Sequence, residues 1–192
     1  MRISKGMTST KNMKNMKNTN GLSLIECLLT LLITGILASM ALPGFQSLIE
    51  RSRVHLAVSE FHAAILMART EAIRRGQRID LVPWQAGDWR HGWVVLIDEN
   101  NNQRADPGEI LIHHSSAELS GLPGLKVDAK LRDAKRAYLA FDPQGRPRSA
   151  SSSHVPQIGS LVFSVGAARR KLIISFLGRV RLCDPDQEAA AC

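Results

Sequence analysis

The sequence predicts an α+β chain in which one long N-terminal helix carries a sheet-rich head. Three observations predict it. Residues 22–42 form a largely apolar run with a single charge, Glu26. Residues 45–75 then mix apolar and charged side chains at helical spacing. From Gln77 onward the pattern changes to short β-type runs separated by turn residues. Helix first and strands after is the α+β order.

Residues 1–21 form a leader that holds Arg2, Lys5, Lys11, Lys14 and Lys17 and no acid. A basic flank stays cytoplasmic, which predicts a single-pass inner-membrane protein with its head in the periplasm. The formal charge of +8 overstates the mature chain: without those five bases, 20 basic residues face 17 acidic ones, a net of +3. That balance excludes nucleic-acid binding by bulk charge and leaves only a local patch. Lys-Asn-Met repeats in the leader leave Met7, Met13 and Met16 as alternative starts.

At ~1.5 Å per residue, the run from Leu22 to Leu42 spans the ~30 Å core of a bilayer. A carboxylate there costs about 2.5–3.5 kcal/mol, so Glu26 calls for a partner. No Lys or Arg follows it until Arg51. A cut after Gly21 would create one, the new α-amine of Leu22, four residues before the glutamate. Pro43 removes an amide and clashes with the preceding turn, so a helix kink is expected there.

Beyond Pro43-Gly44, residues such as Val58, Phe61, Ile65, Ala68 and Ala72 mark an amphipathic helix packing one stripe on a domain. Arg74, Arg75 and Gly76 are a C-terminal stop. The organisation is therefore a leader (1–21), a membrane and assembly half of the helix (22–43), an amphipathic half (44–76) and a head (77–192). From Leu22 to Arg75 the helix measures ~80 Å. Strands are expected near 78–84, 92–98, 109–114, 124–128, 137–142, 160–165, 170–176 and 179–182, with a hairpin at Gly166-Ala167-Ala168.

Cys27 lies in the apolar run as a small apolar residue. Cys183 and Cys192 bracket an eight-residue tail. Joined, they would close a ~10-residue loop worth about 2–3 kcal/mol. Two free thiols are the alternative; an oxidising compartment favours the bond.

Gly21 followed by an apolar residue, Glu26 as the fifth residue after it, a basic leader and a long apolar helix resemble the type IV prepilin signal. The family usually has Phe where this chain has Leu22. The resemblance implies cleavage between Gly21 and Leu22 by a prepilin peptidase, N-methylation of Leu22, and pairing of Glu26 with a neighbouring subunit's amine. Downstream, Ala68–Gly76, Gly92–Asp98, Phe141–Arg146 and Gly178–Arg181 resemble the GspH/FimT group of minor pilins and pseudopilins, whose head is a small β-sandwich. That group often has a cysteine before the first-strand proline. Here Val82-Pro83 stands instead, which supports pairing Cys183 with Cys192.

Three further stretches bear on chemistry. Asp98, Asn100, Asn102, Asp106 and Glu109 place oxygens at positions 1, 3, 5, 9 and 12 of a twelve-residue loop, as a calcium loop does. Gln103 stands where the sharp turn needs Gly, and strands rather than helices flank the loop, so a turn rich in Asn and Asp is the plainer reading. Arg179 and Arg181 have the period that puts both on one side of a strand, and Arg169, Arg170 and Lys171 lie on the strand or turn before it. Guanidinium forks suit phosphates; a charged edge strand guarded against aggregation is the alternative. The GspH/FimT resemblance implies contact with double-stranded DNA during uptake through this edge, by backbone contacts without sequence readout. Trp84, Trp89 and Trp93 are expected in core and hairpin packing. The histidines form no pattern, and no nucleophile, phosphate loop or acid/base pair points to an enzyme.

The reading is a minor pilin that joins a type IV pilus with other pilins, with no required cofactor. The equivalent pseudopilin of a type II secretion system is the first alternative. A DNA-binding module carried on a pilin segment and a signal-anchored enzyme are the others.

Overall fold

The computed structural model describes residues 23–115, 122–133, 137–152, 154–187 and 192. These contain one helix, α1 (Leu24–Arg75), and eight strands: β1 (Ile79–Gln85), β2 (Asp88–Ile97), β3 (Ile110–His114), β4 (Lys126–Leu131), β5 (Leu139–Phe141), β6 (Gly159–Val165), β7 (Ala168–Ile174) and β8 (Val180–Cys183). The chain divides into two compact units, Met1–Leu42 and Pro43–Cys192. The helix continues through the boundary, Pro43 included.

In the first unit the helix turns its polar atoms back on itself. Thr30 Oγ1 donates to the Cys27 carbonyl at 2.9 Å, Thr34 Oγ1 to the Thr30 carbonyl at 2.8 Å and Ser39 Oγ to the Ile36 carbonyl at 2.7 Å. The hydroxyls are thereby satisfied without water, as a bilayer requires. Leu24, Ile25, Leu28, Leu32, Ile36 and Met40 are all exposed. The helix is long and apolar enough to cross a membrane.

In the second unit the strands form two antiparallel four-stranded sheets, ordered β3-β2-β1-β5 and β4-β6-β7-β8. Their inner faces and α1 share one core. The helix contributes Val54, Ala57, Val58, Phe61, Ala64, Ile65, Ala68 and Ala72, spaced by three and four residues. The stripe is narrower than the sequence pattern suggests, because Phe45, Leu48, Leu56 and Ile73 are exposed. Alanines at four of the eight positions let the helix backbone approach the sheets. Phe61 meets Trp89 and Trp93 edge-on, with ring centroids 5.2 and 4.8 Å away, and Phe163 at 5.3 Å.

The middle of the first sheet is buried on both faces, whereas its edge strand β3 is exposed or half-buried. Its outer side carries Val82, Val94, Leu96, Tyr138 and Ala140, packed against Ala105 and Ala150 of two long loops. Tyr138 holds that layer together: its hydroxyl donates to Asp133 at 2.8 Å and accepts from the Ala150 amide at 2.6 Å. The second sheet buries only one face. Along β6, Leu161, Phe163 and Val165 are buried while Ser160, Val162 and Ser164 are not.

Turn chemistry sets the ends. Gly76, at φ 65°, stops α1. Gly166 and Ala167 form the two-residue turn between β6 and β7, where Val165 pairs with Ala168. Glu50 of α1 accepts from the Ala167 amide at 3.1 Å, which ties that hairpin to the helix.

Gly159 tests the close approach of β6 to β4. It has φ 152°, and a Cβ there would lie 2.1 Å from the Lys130 carbonyl oxygen and 2.8 Å from Leu131 Cα. Backbone atoms in a paired strand cannot step aside. Gly76, at φ 65°, is in the left-handed helical region that other residues reach at modest cost, and it has open space around it. Gly76→Ala should therefore cost about 1–2 kcal/mol, and Gly159→Ala more than twice that. Denaturant unfolding of the two variants checks the order; equal costs would contradict the close packing.

Candidate assembly surface and basic face

Gly21 and Leu22 lie outside the described residues. Glu26 sits in the first turn of α1, where its amide donates to the Ser23 carbonyl at 3.0 Å. Its side chain is exposed on the apolar helix, and among the described residues no cation meets it. Cys27 is a free, exposed thiol on the same turn.

The second sheet's register sorts the basic residues. Ser164 pairs with Arg169, Val162 with Lys171, and Ile173 with Arg181. Paired residues share a face, so Arg169, Lys171 and Arg181 point outward with Ser164 and Val162. Arg170 pairs with Phe163 and falls on the opposite face. Period two thus splits the run Arg169-Arg170-Lys171 that the sequence groups together.

The tail after β8 occupies all three. Cys183 and Cys192 are joined, with Cα atoms 5.9 Å apart. Asp186 pairs with Arg169 and Asp184 with Arg170, while Lys171 Nζ donates to the Cys192 main-chain oxygen at 2.9 Å. The Asp186 carboxylate raises the already high pKa of the Arg169 guanidinium. Nothing in the sequence spacing announces these pairs, because Asp184 and Asp186 follow the strand they cover.

Arg179 leaves a tight turn. Gly178 N donates to the Ser175 carbonyl at 2.9 Å, and the Arg179 amide to Ser175 Oγ at 3.1 Å. Arg69 of α1 reaches the Gly178 carbonyl at 3.4 Å. A Cβ on Gly145 would lie 2.7 Å from Ile73 Cδ1, and one on Gly178 would lie 3.1 Å from the Gly145 carbonyl. Three stretches far apart in sequence meet here: the end of α1, the Asp142–Arg146 turn and the start of β8. Phe176 and Leu177 are exposed at the tip of this turn.

The loop from Asp98 to Glu109 spends its oxygens internally. Asp98 accepts from the amides of Asn102 and Gln103 at 3.1 and 2.8 Å. Asp106 accepts from the side-chain amides of Asn100 at 2.8 Å and Asn102 at 2.5 Å. The Asp106 amide donates to Glu109 at 3.1 Å. Among the described residues no group of three or more His, Cys, Asp or Glu side chains is arranged to hold a metal. The loop's evident work is to cover the outer side of the first sheet through Ala105. Trp89 and Trp93 are core residues, whereas Trp84 is exposed and meets His114 edge-on at 4.7 Å.

Residues 57–178 match the family model described as type II transport protein GspH, and residues 16–42 match the prokaryotic N-terminal methylation motif. The chain belongs to the GspH family of pilin-like proteins. It is 34% identical over 166 residues to the pilin-like protein PilA1 of Thermus thermophilus, covering 84% of this chain and 97% of that protein. The fold is similar to that of the type IV minor pilin FimU of Pseudomonas aeruginosa, with a TM-score of 0.51 at 20% identity over 71% of this chain and 92% of that one. The GspH match ends at Gly178. Arg179, β8 and the disulfide-closed tail lie outside the matched residues.

Beneath the 98–109 loop of this GspH-family head lies a buried ion pair. Arg78 Nε donates to Asp80 Oδ1 at 2.6 Å, and Asp80 has no exposed surface. Burial pushes the Asp80 carboxyl up from 3.8 to about 6 against the pull of Arg78, with Asp98 and Glu109 adding to the rise. The folded state then holds this proton more tightly than the unfolded state. Stability from this group is greatest below pH 3.8 and is lost as pH rises to about 6. Asp80→Asn should remove that part of the pH dependence. Thermal melts of both proteins across this window check it, and parallel curves would contradict it.

Proposed function

We propose that this chain is a minor pilin of a type IV pilus. Cleavage between Gly21 and Leu22 by a prepilin peptidase frees the Leu22 amine, which is then methylated. Residues 22–42 hold the protein in the inner membrane and later pack among neighbouring pilin helices, with the head on the periplasmic side. Glu26 sets the register by meeting a neighbour's amine, since an unpaired carboxylate among apolar helices is costly.

One observation carries this reading. The methylation motif at 16–42 runs into a helix whose apolar surface is exposed and whose hydroxyls are satisfied internally. Such a surface needs lipid or other apolar helices around it. The GspH description of the head match favours a second reading, the pseudopilin of a type II secretion system. Both share the same assembly chemistry.

Glu26→Ala should leave cleavage at Gly21 intact and abolish incorporation into filaments. Immunoblots of membrane and sheared-filament fractions read both steps; normal incorporation would rule out the registry role.

We further propose that the Arg179–Arg181 edge contacts the phosphates of double-stranded DNA. Supporting this, the register aligns Arg181 with Arg169 and Lys171 on the outward face. Arg179→Gln with Arg181→Gln should weaken duplex binding and flatten its salt dependence by roughly 0.9 per lost phosphate contact. Binding that survives unchanged in fluorescence anisotropy would refute it.

A further inference from the structure

We infer that the phosphate-binding surface reaches beyond the β8 edge, along the part of the second sheet's outward face that the tail leaves uncovered, to Lys126 and Lys130 on β4. The inference rests on the edge reading above and widens it from one strand to four.

The register supplies the evidence. Lys126 pairs with Ser164 and Ser164 with Arg169; Lys130 pairs with Ser160, Ser160 with Ile173, and Ile173 with Arg181. Each row begins with a lysine on one edge, crosses a serine and reaches an arginine on β7 or β8. Lys126, Lys130, Arg169 and Arg181 are exposed, and Lys171 is half-buried. Of these cations Arg169 is paired with Asp186 and Lys171 donates to the Cys192 main-chain oxygen, whereas the two β4 lysines share the face with one acid of their own strand, Asp128. Asp128 lies 3.9 Å from Lys130, but both side chains are largely exposed, so water screens the pair. Ser160 and Ser164 add hydroxyl donors of the kind that bind phosphate oxygens.

The spacing selects the ligand. Three gaps between four strands, at ~4.8 Å each, put the β4 lysines ~14 Å from β8. That is comparable with the ~12 Å major groove of a duplex. The two edges can therefore engage the two backbones that flank a groove, whereas a single strand meets one edge at a time. The first sheet offers no such face, because loops cover its outer side.

The test uses the full chain in detergent micelles and a fluorescent duplex of arbitrary sequence, titrated across a salt series. Lys126→Ala with Lys130→Ala should lower the slope of log K against log salt by roughly 1.8, two contacts at 0.9 each. Lys126→Arg with Lys130→Arg should keep it, and the duplex should bind more tightly than its single strand. Thermal melts confirm that the variants remain folded. A slope that falls in the Arg179/Arg181 variant but not in the Lys126/Lys130 variant would overturn the wider face and leave the edge standing. Equal affinity for single strand and duplex would overturn the groove-spanning geometry. No duplex binding by the wild type at low salt would overturn the edge reading, and the wider face with it.

Discussion

The head depends on one side chain's place between two sheets. Among the described residues the two sheets share no strand pair, so no backbone ladder joins them. They are joined by apolar contact: Phe61 of α1 touches Trp89 and Trp93 of the first sheet and Phe163 of the second, and Trp93 also meets Phe163 directly, with ring centroids 6.5 Å apart. Edge-on aromatic pairs contribute about 0.5–1.5 kcal/mol each beyond burial. Ala57, Ala64, Ala68 and Ala72 keep the helix close enough for those contacts. With the inner faces committed to α1, each sheet has one face left. Loops cover that of the first, and the second presents its own to solvent except where the disulfide-closed tail lies on β7.

The same helix also fixes the basic edge. Arg69 lies one turn beyond Ile65 of the buried stripe, and it reaches across to the carbonyl of Gly178. Gly145 lies against Arg69 and Ile73, whose side chains would have to shift to admit a Cβ there. The turn from which Arg179 departs is thus held by the helix end and by a second turn. A change in any of these three stretches would be felt at Arg179 without touching it.

Much of this is legible in the sequence, for physical reasons. The helix end at Arg75 is marked by cations and by Gly76, whose φ of 65° few other residues accept. Each of the eight strands among the described residues overlaps an expected run, but β2 begins earlier, at Asp88, β4 is shifted to Lys126–Leu131, and β5 is shorter, at Leu139–Phe141. Pairing is not legible. That β5 joins β1, and that β4 belongs to the other sheet, follow from which apolar faces meet α1, and local periodicity carries no such information. For the same reason Lys126 and Lys130 give no local signal: only the register of β4 on β6 sets them in rows with Arg169 and Arg181. The ion pairs of Asp184 and Asp186 depend on how the disulfide-closed tail lies on β7, a tertiary fact with no local signature.

Leu22 is proposed to be the first mature residue of a prepilin. Mass spectrometry of the N-terminal peptide, taken from protein extracted from the membranes of cells that hold the peptidase, tests it most directly. The account predicts a peptide beginning at Leu22 and carrying a single methyl group on its α-amine. A chain that keeps residues before Gly21 in those cells would contradict it, and Glu26 would then lack the amine on which its assembly role depends.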